Sequence, residues 1–175
     1  MPDPITKFSG RYGFLSNFYK TTILVDGLSY PTMEHAFQAL KTSNPDERYA
    51  IRQSATPTDA KRLGRRVELR EDWEEVKSLI MYHLLRHQKF NPMLHPKLAW
   101  KLIDTYPRKL YEGNTWGDRY WGCDPVTLEG KNMLGFILEE TRDHIWEMTQ
   151  IMAPRKQGLP IRKAGDDPPA APGPY

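Results

Sequence analysis

Residues 21–41 read TTILVDGLSYPTMEHAFQALK, and the periodicity changes half-way along this stretch. Thr21 to Val25 is β-branched and apolar, Asp26-Gly27 follows, and Leu28 to Tyr30 resumes the alternation. Asp-Gly between two such runs signals a two-residue hairpin turn, because both central residues of that turn need positive φ. After Pro31 the apolar spacing becomes helical. Thr32 can cap the new helix, and Glu34 in its first turn suits the positive end of the helix dipole. The helical pattern runs on to Ser43.

The same start signals recur downstream. Asn44-Pro45-Asp46-Glu47 restarts a helix with Asn as N-cap and Pro at the first position. Thr56-Pro57-Thr58-Asp59 repeats the device, and Gly64 ends that short helix. Asp72 to Phe90 is the longest helical stretch. Asp72 and Glu75 form its expected capping box, and Trp73, Val76, Leu79, Ile80, Leu84 and His87 its buried face. His95-Pro96 opens a helix to about Asp104, Lys109 to Glu112 reads as a short strand, and residues 113–130 form a loop rich in Gly, Trp and Asp. Lys131 to Thr149 closes the series as an amphipathic helix with Leu134, Ile137, Leu138, Ile145 and Met148 inward. The expected fold is mainly α, compact and multi-helical, with a small antiparallel β element near the N-terminus.

A chain of 175 residues can bury a core without staples. Residues 1–150 are expected to form one domain. Residues 151–175 hold six of the fifteen prolines and no periodic apolar pattern, and are expected to be a flexible tail. That tail also carries two of the three net positive charges, so the total charge names no partner. The single cysteine, Cys123, excludes a disulfide framework and points to a reducing, cytoplasmic setting. No apolar run suits a membrane span, and no signal peptide is visible at the start.

Four groups of residues can carry chemistry. On the helix after Pro31, Glu34, Gln38 and Lys41 fall within about 60° of one another at about 100° per residue. This stripe is either a solvated face or the wall of a cleft in which a carboxylate moves protons beside an amine. Thr115-Trp116-Gly117-Asp118-Arg119-Tyr120-Trp121-Gly122 is either packed on the core or a stacking surface for a base or sugar. Phe14-Leu15-Ser16-Asn17-Phe18 suits a ligand-binding turn and equally a hydrophobic plug. Lys61-Arg62-Leu63-Gly64-Arg65-Arg66, with Arg70 nearby, can hold phosphate or merely complement a helix dipole. His83 and His87 stand four apart, as HLLRH, without the glutamate of a metal-dependent hydrolase and without a spaced third ligand. No metal site is expected, and Cys123 has no evident His base.

Taken together, Phe14 to Phe18, Tyr30 to Lys41, Gly64-Arg65, Trp73, Tyr120-Trp121-Gly122 and Gly130-Lys131-Asn132-Met133-Leu134-Gly135 resemble the NADAR (YbiA-like) N-glycosidase family, in its order and at about its spacing. The resemblance spans roughly Ile5 to Ile145. It implies a compact helical fold and hydrolysis of a C1–N glycosidic bond to ribose, without metal or organic cofactor. Two substrate classes come with it: phosphoribosylamino-pyrimidine intermediates of riboflavin biosynthesis, and ADP-ribose on guanine in nucleic acid. The implied catalytic residues are Glu34, Lys41 and Asp118. Asn17, Phe18, Gln38, Arg65, Trp121, Gly122 and Asn132 are the expected substrate-binding residues. Lys41, if neutral, could attack C1 and form a Schiff base while Glu34 or Asp118 moves protons. Trp121 would stack on the base or shape the ribose pocket, and Arg65 would take a phosphate. After Trp121-Gly122 the chain reads CDPVTLE, where glycine-rich sequence is common in relatives. The competing class is a non-catalytic module that reads ADP-ribose or a nucleotide.

Overall fold

A computed structural model of the chain describes residues 2–152. The expected tail therefore lies outside the described residues, apart from residues 151 and 152, which end a helix. The packing resolves into two compact units. One is Phe8–Lys89; the other joins residues 2–7 to residues 90–152.

In the first unit a 3-10 turn over Gly10–Leu15 precedes the hairpin. Strands β1 (Lys20–Val25) and β2 (Leu28–Thr32) pair antiparallel, with Val25 opposite Leu28 and Ile23 opposite Tyr30. Asp26 and Gly27 both adopt positive φ, 50° and 76°, as the turn required. Ile23 and Tyr30 point inward.

Helix α1 (Met33–Ala39) starts where expected: the Thr32 hydroxyl accepts the His35 N–H at 3.3 Å. It stops well short of Ser43. The reason is local, because Asn44 caps the next helix by accepting from Asp46 and Glu47, while Thr42 accepts the Asn44 N–H. One N-cap and one side-chain turn thus take up the backbone just beyond α1. Helices α2 (Pro45–Arg52) and α3 (Pro57–Gly64) then pack against α1.

Helix α4 (Trp73–Leu84) departs from expectation in three ways. The Asp72–Glu75 capping box does not form, because the Asp72 carboxylate is taken by the Arg70 guanidinium, with one contact at 2.9 Å. The helix passes into a π-helical segment over Leu85–Lys89. The buried stripe runs through Trp73, Met81, Leu84, Leu85 and Lys89, whereas Leu79 is 66% exposed and His87 is exposed. Leu79, Ile80 and His83 instead line an open depression of about 460 Å³ with Leu24, Leu40 and Gln88. None of the expected site residues lines it.

In the second unit helix α5 (Pro96–Ile103) packs on α6 (Met133–Met152). Leu98, Leu102 and Ile103 face inward from α5, and Leu134, Ile137, Leu138 and Ile145 from α6. Met148, expected inward, is 38% exposed; Trp146 occupies the buried position of that turn. The expected strand at Lys109 to Glu112 is reduced to a parallel bridge between Ile5 and Leu110. Among the described residues no helix is long and apolar enough to cross a membrane.

Candidate active site

Helix α1, which carries Glu34 and Gln38, has no solvated face, and Lys41 of the expected stripe lies beyond its end. Every residue of α1 is buried, Glu34 at 5% and Gln38 at 4% exposure. The reading of this stripe as a surface pair is thereby removed. At its start the Thr32 hydroxyl and His35 Nδ1 lie 2.8 Å apart, and His35 Nε2 is 3.2 Å from the Ser54 carbonyl. That pattern is satisfied when Nε2 carries the proton and Nδ1 accepts from Thr32. Burial holds the His35 pKa down, so the neutral ring acts as a clamp between the start of α1 and the end of α2.

Glu34 is held at both ends. Its N–H donates to the Asn17 carbonyl at 3.0 Å, and its Oε1 accepts from Gln38 Nε2 at 2.7 Å. Burial pushes the Glu34 carboxyl above the usual range, against the opposing pull of the Gln38 hydrogen bond and of Lys61, Lys41 and Arg65. Lys41 lies just past the end of α1, half-buried, with its Nζ 5.7 Å from the centroid of the Trp73 ring. Burial lowers its pKa, with Lys61 and Arg65 acting the same way and Glu34 and Glu74 opposing. The Lys41 carbonyl accepts the Arg70 N–H at 2.8 Å, which fixes the chain where the lysine leaves the helix. The environment thus favours the neutral form of both an acid and an amine, the division of protonation that acid and nucleophile chemistry needs.

The loop of Phe14 to Phe18 belongs to the same unit. Phe14 and Leu15 plug the core, and Phe18 is 39% exposed, so the turn is both plug and presenting surface. Lys61 Nζ sits 5.9 Å from the Phe18 ring centroid. Asn17 Nδ2 approaches the Met81 sulfur at 3.6 Å, while Asn17 Oδ1 and Gln38 Oε1 are buried acceptors with no hydrogen-bond partner. Arg65, at the C-cap of α3, is exposed.

Sequence reasoning placed Lys61 and Arg65 in the run that can hold phosphate, and passed over Lys89, which gave no signal. A lysine at the end of a helix reads as solvated, yet Lys89 is fully buried and its Nζ donates to the Ser16 carbonyl at 2.6 Å and the Leu15 carbonyl at 3.3 Å. It anchors the turn that carries Asn17 and Phe18.

In the second unit the loop around Asp118 is built on backbone bonds. Asn114 closes it by accepting the Asp118 N–H at 3.0 Å and donating to the Asp118 carbonyl at 2.8 Å. Asp118 Oδ1 then accepts from the N–H groups of Tyr120 and Trp121, at 3.1 and 2.9 Å. The carbonyls of Tyr120, Trp121 and Gly122 accept from Met133, Leu134 and Asn132, which satisfies N–H groups at the start of α6. Asn132, at φ 48°, gives both ends of its amide to the Leu110–Glu112 backbone. A Cβ on Gly122 would lie 2.2 Å from the Glu112 carbonyl oxygen, so this residue admits close backbone packing. The half-buried Trp121 meets Tyr120 edge-on, with ring centroids 5.0 Å apart. Cys123 is buried and unpaired by disulfide. Among the described residues no group of three or more His, Cys, Asp or Glu could hold a metal ion.

Comparison with known proteins gives a consistent set of likenesses. The family model described as NADAR domain matches residues 6–146. The N-glycosidase YbiA of Escherichia coli (strain K12) is 42% identical over 150 residues, which cover 83% of this chain and 91% of that protein. An N-glycosidase of Nostoc punctiforme is 34% identical over 139 residues, covering 77% of this chain and 86% of its own length. A riboflavin biosynthesis protein of Vibrio vulnificus is 32% identical over 139 residues, 78% of this chain but 36% of that protein. The NMR structure of E. coli YbiA superposes with a TM-score of 0.74 at 37% identity, covering 90% of this chain and 94% of that one.

Proposed function

We propose a substrate and a mechanism on the premise that this chain belongs to the NADAR domain family and is a hydrolase of N-glycosyl bonds. The substrate is a ribosyl-base compound that carries phosphate. A phosphoribosylamino-pyrimidine of riboflavin biosynthesis is the first candidate, because one relative is named for that process. ADP-ribosylated guanine in nucleic acid is the second, favoured by the run of cations from Lys61 to Arg66. The observation that carries the reading is the buried Glu34 carboxyl beside a half-buried Lys41, each shifted by burial toward its neutral form. A module that only bound a nucleotide would gain nothing from burying an acid next to an amine.

In the proposed reaction the neutral Lys41 amine attacks C1 of the ribose. A bond forms between Nζ and C1, the C1–N bond to the base breaks, and the Glu34 carboxyl gives its proton to the leaving nitrogen. The Nζ ammonium then returns one proton to the Glu34 carboxylate, and the bond from C1 to the ring oxygen breaks as the remaining Nζ proton passes to that oxygen, leaving an open-chain imine on Lys41. Water then hydrolyses the imine, releasing the sugar and restoring the lysine. Arg65 and Lys61 hold phosphate, Asn17 and Phe18 orient the sugar, and Gln38 holds the Glu34 carboxyl. Trp121 is proposed to stack on the base, on a turn that Asp118 braces and that Gly122 and Asn132 support. The reaction is proposed to run in the cytoplasm.

The decisive experiment supplies both substrates side by side with borohydride present. Release of free base together with a reduced sugar adduct on Lys41 is the expected result. Turnover without an adduct would replace the imine by direct attack of water, and Lys41→Ala with full turnover would remove the lysine from either route. Tight ADP-ribose binding with no base released from either compound would return the protein to the class of non-catalytic readers.

A further inference from the structure

We infer that Gly64 is a positioning residue for Glu34, acting through the Gln38 side chain. The inference rests on the reading of Glu34 as the acid of the reaction. Gly64 is the last residue of α3, buried against α1. A Cβ there would lie 2.1 Å from Gln38 Oε1, 2.8 Å from Gln38 Cδ and 2.8 Å from Gln38 Cβ. The Gln38 amide therefore occupies the volume that any other residue at 64 would fill. With its Oε1 packed over the glycine, the amide turns its Nε2 toward Glu34 and donates at 2.7 Å.

The arrangement leaves Gln38 Oε1 buried without a hydrogen-bond partner, a desolvation cost that folding alone gives no reason to accept. No positive φ requires glycine at 64, so its missing side chain is explained by space alone. The site uses that space to lock one rotamer of Gln38, and through it one orientation of the carboxyl. The charged groups facing Glu34 are Lys41 at the end of α1 and Lys61 and Arg65 on α3, with Glu74 of α4 acting on Lys41. Gln38 is the neutral donor among them, and its hydrogen bond favours the ionised carboxylate.

The test compares Gly64→Ala, Gln38→Ala and the double variant. Its main readout is direct titration of Glu34, followed by carbon-13 NMR of the carboxyl in glutamate-labelled full-length protein. Loss of the Gln38 bond should move the Glu34 midpoint upward by about one pH unit in each single variant. The double variant should move no further than either, since both act through one bond. In turnover, the limb of the pH profile that follows Glu34 should shift by the same amount, and kcat should fall about tenfold or more with a smaller change in KM. Gly64→Ala that lowers Tm but leaves the Glu34 titration at the wild-type midpoint would overturn the proposal. If Gly64→Ala does not fold, a folded Gly64→Ala/Gln38→Ala protein supports the coupling, and an unfolded one overturns it. A wild-type protein that cleaves neither substrate would defeat the functional reading alone, because the NMR titration does not depend on turnover.

Discussion

Glu34 is the residue at which stability and function part company. Its carboxyl is raised above its unfolded value by burial, so the contribution to folding is most favourable at low pH and is lost as pH rises through the folded-state value. Glu34→Gln should therefore raise Tm near neutral pH, with the gain vanishing below the ordinary carboxylate range. The same substitution should lower kcat by about 10²–10⁴, the usual weight of a general acid. Thermal melts against pH, paired with turnover, check both signs. Spacing placed Glu34 and Gln38 on one side of a helix, whereas Lys41 falls beyond the end of that helix. It could not separate a solvated stripe from a buried one, because that depends on what α2, α3 and the hairpin cover. The remaining site residues divide in the same way. Asp118 and Asn132 were legible as special positions, but only the structure gives them their partners, the backbone groups of Tyr120 and Trp121 and of Leu110 and Glu112.

Among the elements, the starts of helices were the most legible features. Thr32, Asn44 and Thr56 each accept backbone N–H bonds within three residues, a local interaction that the order of residues alone prescribes. Asn44→Ala should cost about 1 kcal/mol through loss of the α2 cap, measured by chemical denaturation. The π-helical segment Leu85–Lys89 was not legible. A π turn rotates later side chains away from the 3.6-residue spacing, so a stripe projected through it assigns His87 to the wrong side. It also delivers Lys89 to the carbonyls of Leu15 and Ser16. Lys89→Met should therefore destabilise the fold by about 1–3 kcal/mol for each orphaned carbonyl. It should also raise KM, because the Asn17–Phe18 turn loses its anchor. Failure of Lys89→Met to alter either Tm or KM would remove Lys89 from this role.

For the whole molecule, two predictions separate the alternatives that remain. The family match ends at residue 146 and the last described helix at Met152, so removing residues 153–175 should leave turnover and Tm unchanged. Loss of turnover on truncation would place the tail in the reaction. A polymeric nucleic-acid substrate should lose affinity steeply, by about 10³-fold or more between about 50 and 200 mM salt, if many phosphates are contacted. A small phosphoribosyl compound held by one cationic pocket should show a shallow dependence, and measuring KM against salt distinguishes the two. The order of residues determined by itself the hairpin turn at Asp26-Gly27, the capped starts of α1, α2 and α3 and the family, since each depends on neighbours in the chain or on motifs in register. Tertiary structure alone decided that α1 is buried on every side, that Lys89 lies inside and that Gly64 leaves room for Gln38. Burial is a property of what packs against a residue from elsewhere in the chain. Burial is also what shifts Glu34 and Lys41 toward the neutral forms the proposed chemistry needs.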